Sequence, residues 1–189
     1  MCETGYEKLI AVTDRKLCRG DLAAQIEKVA ALHPAGVILR EKDLTPEEYR
    51  ILAEKVLEIC GREEVPCFLH SHVRIAKELG CRRIHLSYAG LLEAEEELPY
   101  FDEVSVSCHS EEEVKSAAEK GAGRIILGNI YDTACKPGKP GRGTAFLRQI
   151  CGISSVPVYA IGGVTPERLP EILAAGAAGG CMMSGFMEL

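Results

Sequence analysis

The chain has 189 residues, long enough to bury a core and short enough to form one domain over 1–189. Its formal charge of −6 speaks against nucleic acid or an anionic membrane as a general partner, and 5 % aromatics with no Trp speak against an aromatic-lined binding module. No apolar run approaches the roughly 20 residues of a spanning helix, and the polar start carries no signal-peptide pattern, so a cytoplasmic protein is expected.

Short apolar runs alternate with longer amphipathic ones. A first strand over 8–13 leads to a helical pattern over 21–32. A second strand, 36–40, precedes a helix over 46–60 that starts at Thr45-Pro46, a capping signal. The third strand, 66–70, and a helix over 73–79 follow. After the fourth strand, 83–86, the stretch 88–101 carries an acidic run at 93–97 and a short helix at most. The fifth strand, 104–107, feeds a helix over 111–120 behind Ser110 and three glutamates. The sixth, 124–128, opens into a glycine-rich basic loop over 133–143 and a helix over 144–151. The seventh, 156–161, leads to a helix over 166–175 with Thr165 as N-cap and Pro166 at its first position. The eighth strand covers 180–183.

Several of these helices end in glycine (Gly61, Gly80, Gly121, Gly176), and the continuous apolar strands imply burial on both faces. Eight such units predict a (β/α)8 TIM barrel, an α/β fold. Too few residues follow the eighth strand for a full helix, so the eighth helix is expected to be missing or vestigial. Part of the outer wall would then be bare, and a homodimer is expected to cover it; a wall patched by the chain itself is the alternative.

Nine cysteines are scattered singly, with no C-x-x-C. Several lie in apolar strands, so they read as reduced thiols acting as small hydrophobes rather than as a disulfide or metal framework.

In a barrel of this kind, chemistry gathers where the strands end. Arg40 and Lys42 flank Glu41 at the second strand end and can hold a phosphate or carboxylate, the guanidinium bidentately and the ammonium as a point charge; a solvated charge cluster is the alternative. His70, Ser71 and His72 follow the third strand, Ser107, Cys108 and His109 the fifth, and Asn129 the sixth. Lys136 and Arg142 sit in the long loop, read as a lid over an anionic substrate or as an ordinary mobile loop. Gly162 and Gly163 after the seventh strand, with Ser184 and Gly185 after the eighth, offer bare amides for a phosphate. The expected partner is therefore a small phosphorylated molecule. His70, His72 and His109 could gather a metal, but no carboxylate lies at the third or fourth strand ends, so no metal site is expected. His109 is the better candidate for proton transfer. His33 and His85 read as structural.

The segments Leu9-Ile-Ala-Val-Thr-Asp14, Val37-Ile-Leu-Arg-Glu-Lys42, Val106-Ser-Cys-His109, Gly128-Asn-Ile-Tyr-Asp-Thr133, Cys135-Lys136, Ala160-Ile-Gly-Gly-Val164 and Met183-Ser-Gly185 resemble, in order, the thiamine phosphate synthase family. The resemblance implies a (β/α)8 barrel of the thiamine pathway, usually dimeric. It implies one of two reactions: the synthase joins a pyrimidine diphosphate to a thiazole phosphate, and a TenI-like tautomerase moves a proton on the thiazole carboxylate phosphate without metal. On this resemblance Gly162, Gly163, Ser184 and Gly185 would hold the thiazole phosphate, with Thr133 and Lys136 near the azole; Ser107 joins the substrate-binding set.

The synthase needs Mg²⁺, and its Asn-Asp signature at the third strand end aligns here with His70-Ser71. Its acidic ligand after the fourth strand aligns with Ser87-Tyr-Ala-Gly90. Without those carboxylates a hard cation lacks an anchor. The reading is therefore a TenI-like thiazole tautomerase with no cofactor. A divergent Mg²⁺-dependent synthase is one alternative and a non-catalytic thiazole-phosphate binder the other. The tautomerase's usual catalytic histidine aligns with Asn129, whose amide is no general base but can orient a water or a carboxylate. His109 or His70 would then supply the base.

Overall fold

The computed structural model describes residues 5–133, 138 and 140–189. Eight strands form one closed parallel ring in sequence order: β1 Leu9–Val12, β2 Gly36–Leu39, β3 Cys67–His70, β4 Arg83–Ser87, β5 Glu103–Cys108, β6 Arg124–Gly128, β7 Val158–Ile161 and β8 Gly179–Met182. The ring closes where β8 pairs with β1, Leu9 opposite Gly180 and Ala11 opposite Met182. Helices α1 (Leu22–Ala30), α2 (Pro46–Arg62), α3 (Val73–Glu78), α4 (Tyr88–Glu93), α5 (Glu111–Glu119), α6 (Gly143–Ile153), α7 (Leu169–Ala174) and α8 (Ser184–Met187) follow the eight strands in turn.

Alternation along the strands divides the apolar residues between two cores. Leu9 and Ala11 point outward and pack with the helices, in a core that includes Ile26, Tyr49, Val56 and Leu147. Ile10, Val12, Ile38, Phe68, Ile126 and Cys181 point inward and fill the barrel. Both faces of most strands are thus apolar, which is why they read as apolar runs; β4 and β5 instead turn His85, Ser105 and Ser107 inward. At the amino-terminal end the guanidinium of Arg124 lies 4.7 Å from the Phe68 ring centroid and donates to Glu103 at 2.8 Å. The chemistry is left to the other end.

The helix starts follow the capping chemistry of the sequence. Thr45 and Glu48 form a reciprocal capping box on α2, and Ser110 accepts from the Glu113 amide on α5. Thr165 is a correction. Its side chain makes no cap bond, and Pro166–Arg168 form a 3₁₀ turn before α7 begins at Leu169.

The eighth helix is vestigial, as expected, and of the two readings of the wall after β8 the patched one holds. One turn suffices there. Phe186 and Met187 of α8 are fully buried, the Phe186 ring packs 5.5 Å from Tyr6, and the Gln25 side chain donates to the Phe186 carbonyl at 2.7 Å. Among the described residues the large exposed hydrophobics, Ile51, Leu92, Ile153 and Leu189, lie on separate elements. Among the described residues, the wall after β8 is thus covered without a second copy of the chain. Because Phe186 is the largest side chain filling this gap, Phe186→Ala is expected to destabilise the fold by about 3–5 kcal/mol in urea unfolding. A change within the scatter of surface substitutions would show that α8 is dispensable.

Candidate active site

The carboxyl ends of the strands enclose a cavity of about 320 Å³, a size suited to a small ligand. Its floor is the inward layer of the barrel, with Val12, Ile38, Ile126 and Cys181. Its rim brings together most of the residues expected from the sequence: Arg40 and Lys42 from β2, His70 from β3, Ser107 and His109 from β5, Asn129 and Thr133 from β6, Gly162 and Gly163 from β7, and Ser184 from β8. Gly185 does not line it; a Cβ there would meet the Met182 sulfur at 2.5 Å, so this glycine serves packing. Lys136 lies outside the described residues, as does Cys135.

The strand ends are stitched to one another by polar groups. Buried Tyr49 donates to the Leu39 carbonyl at 2.7 Å and accepts from the His70 amide at 2.9 Å, joining β2 to β3. Burial pushes its phenol well above the ordinary range, so it stays a donor. His72 stacks on this ring, with centroids 3.9 Å apart, and does not line the cavity, so the two histidines of the His-x-His pair point to different places.

The loop after β6 continues the ladder against β7. The Ile130 amide donates to Ile161 and the Tyr131 amide to Gly162, at 2.9 and 3.0 Å. The approach is so close that a Cβ on Gly162, at φ +95°, would come within 2.5 Å of the Asn129 Cβ. Only glycine fits.

His109 is held on three sides. Its amide donates to Glu113 at 2.6 Å, its carbonyl accepts from Arg142, and its Nδ1 lies 3.1 Å from the Gly128 carbonyl. A carbonyl only accepts, so Nδ1 carries a proton and Nε2 is the nitrogen left to exchange one. His70 is different. Burial first, then the cations Lys42 and Arg40, lower its pKa to about 4, so it is neutral and a weak base at neutral pH. Of the two histidines proposed for proton transfer, His109 is the better placed. Asn129 donates to the Tyr131 carbonyl at 3.3 Å, an orienting contact within its own loop.

Sequence reasoning missed His85. Taken as structural, it is indeed a buried mid-strand residue, yet it also lines the cavity. Its Nδ1 and Nε2 each lie 2.9 Å from a serine hydroxyl, Ser105 below and Ser107 at the cavity. Burial, with His70 and Arg40 adding repulsion, lowers its pKa to about 3. The signal available in the sequence was inward alternation with Ser105 and Ser107 on the neighbouring strand, a pattern visible only once β4 and β5 are known to pair.

Mg²⁺, which the resemblance attaches to the synthase reaction, does not fit this lining. The cavity presents imidazoles, hydroxyls, an amide and two cations but no carboxylate. Among the described residues no group of three His, Cys, Asp or Glu could hold a metal ion.

Comparison with known proteins supplies the family. The family model described as thiamine monophosphate synthase matches residues 9–186. The chain belongs to this family. The thiamine-phosphate synthase of Thermus thermophilus is 33 % identical over 142 residues, 75 % of this chain and 69 % of the relative. That of Clostridium acetobutylicum is 29 % identical over 184 residues, 96 % and 87 % of the two chains. Among solved structures, a thiamine phosphate pyrophosphorylase from Pyrococcus furiosus superposes with a TM-score of 0.85 at 22 % identity, covering 98 % of this chain and 89 % of its own. A 3-hexulose-6-phosphate synthase superposes with a TM-score of 0.69 at 14 % identity, covering 96 % and 98 %. These two likenesses bear on the fold. No described helix is long and apolar enough to cross a membrane.

The buried imidazoles set an acid response. Both would protonate near 6.5 in the unfolded chain but resist protonation in the fold down to about 4 and about 3. The unfolded state therefore binds more protons in that window, and stability falls as pH drops below the unfolded value. Each contributes up to roughly 1.4 kcal/mol per pH unit. His85→Asn removes one of the two titrations, so its urea-unfolding free energy is expected to decline less steeply with acid than that of the parent. Equal slopes would mean that His85 is protonated in the fold.

Proposed function

We propose that the protein binds a thiazole phosphate across this cavity, with the phosphate on the β7–β8 amides and a second anionic group on Arg40 and Lys42. The observation that carries this reading is that one cavity is lined both by Arg40 and Lys42 after β2 and by Gly162, Gly163 and Ser184 after β7 and β8. Around the ring only β1 stands between β8 and β2, so the cations and the glycine amides open onto the same mouth. His109, Asn129 and Ser107 line the same cavity.

Both reactions implied by the resemblance suit these two ends: the second anionic group is the diphosphate of a second substrate in the synthase and the substrate's own carboxylate in the tautomerase. The comparisons lend more support to the synthase reaction, because the family model and the relatives reported above carry the synthase name. In this reading the pyrimidine diphosphate places its diphosphate on Arg40 and Lys42. A new bond forms to the thiazole and the diphosphate leaves, its charge met by the two cations instead of a carboxylate-anchored metal. The side chains at the rim exclude water and keep the two rings in register.

One observation favours the second reading, a metal-independent tautomerase: the carboxylate-free lining. There Arg40 and Lys42 would hold the substrate carboxylate, and His109 Nε2 would take a proton from the thiazole and return it to another ring position.

Isothermal titration and product assays separate these readings. Thiazole phosphate is expected to bind without metal. Formation of thiamine phosphate from both substrates, lowered about a hundredfold by Arg40→Ala, is the expected outcome for the synthase. Absence of that product, together with thiazole tautomerisation that is lost in His109→Ala, transfers the assignment to the tautomerase. Binding without either turnover leaves a non-catalytic binder. No binding of thiazole phosphate overturns the proposal.

A further inference from the structure

We infer that Glu41 and Thr13 are positioning residues that set the aim of Arg40 and Lys42; the inference rests on the reading of those two cations as an anion cradle. Arg40 and Lys42 line the cavity, while Glu41 between them is turned away and buried, with 2 % of its side chain exposed. An extended segment places residues i and i+2 on one side and i+1 on the other. A carboxylate in that position is costly unless it is fully partnered.

Its partners all come from the end of β1. The Thr13 hydroxyl donates to Oε1 at 2.7 Å. The Arg15 amide donates to the same oxygen at 3.1 Å, and the Arg15 guanidinium reaches Oε2 at 3.1 Å. Thr13 is itself fully buried, and its Oγ1 also accepts from the Arg40 amide at 2.9 Å. The Thr13 amide meanwhile donates to the Ile38 carbonyl at 3.0 Å. One hydroxyl therefore bridges the backbone of one cradle residue and the side chain between the two. Outside, Arg15 also pairs with Asp43, at 2.5 and 3.0 Å, which raises the guanidinium above its ordinary range.

The segment 40–42 is consequently fixed from behind, through its own backbone and its buried side chain. The cations project from a rigid base and lose less freedom when an anion arrives. Neither Thr13 nor Glu41 lines the cavity. Glu41→Gln keeps the shape but turns an amide donor toward donors of Arg15. Thr13→Val keeps the volume and removes the bridge, whereas Thr13→Ser retains it.

The test is isothermal titration with inorganic pyrophosphate as the probe for the cradle, in EDTA and with thiazole phosphate saturating the opposite end. Thiazole phosphate affinity is measured separately. Glu41→Gln and Thr13→Val are each expected to weaken pyrophosphate binding about tenfold and to leave thiazole phosphate binding within about a factor of two, while Thr13→Ser keeps the parent values. Pyrophosphate affinity unchanged in both variants overturns the inference. So does parallel loss of both ligands, which marks a general structural role. The cradle is checked with Arg40→Ala and Lys42→Ala in the parent background. If neither weakens pyrophosphate binding, the cradle reading fails, separately from the positioning claim.

Discussion

Closure of the strand ring between β1 and β8 is the constraint on which the rest depends. A parallel ring with no edge places all eight carboxyl ends on one side, so residues scattered from Arg40 to Ser184 meet around one cavity. The same closure demands small residues where the last strand meets the first. A Cβ on Gly179 would lie 2.1 Å from the Lys8 carbonyl oxygen, and one on Gly180 2.8 Å from the Val164 side chain and 3.3 Å from that of Leu9. Glycine at these positions lets β8 approach, and the single turn of α8 then seals the gap with Phe186 and Met187.

Within that frame the polar groups do two jobs. Some tie neighbouring strand ends together: Thr13 and Glu41 between β1 and β2, Tyr49 between β2 and β3, His85 with its two serines between β4 and β5. Others face the cavity. The cations Arg40 and Lys42 influence both, because their charge helps keep His70 and His85 neutral. A cavity with two cations, the neutral imidazoles of His70 and His85 and no carboxylate favours anionic ligands. It offers little to a hard metal ion.

Much of this was legible in the sequence. The eight apolar runs and their order follow from burial on both faces, and every strand lies where its apolar run does, within about two residues, a scatter normal for such boundaries. The strand-end residues were legible for the same reason: the first polar residue after an apolar run is the one that leaves the core. Where the reading went astray, local pattern was outweighed by distant packing. Thr165 has the right identity for a cap, but the chain takes a 3₁₀ turn there. His85 looks like a core residue because its partners lie about twenty positions away on another strand.

The sequence by itself determined the fold, the family and the inventory of polar groups at the strand ends, because these depend on periodicity and on residue chemistry along the chain. Only the tertiary structure decided what each group does. Strand pairing turns Glu41 away from the cavity while its neighbours face it, and the Gly128 carbonyl selects the His109 tautomer. It also makes a one-turn helix sufficient, since Tyr6 and Gln25 are already waiting at that wall. Contacts between residues far apart in sequence carry no local signature, so they become readable only when the ring has closed.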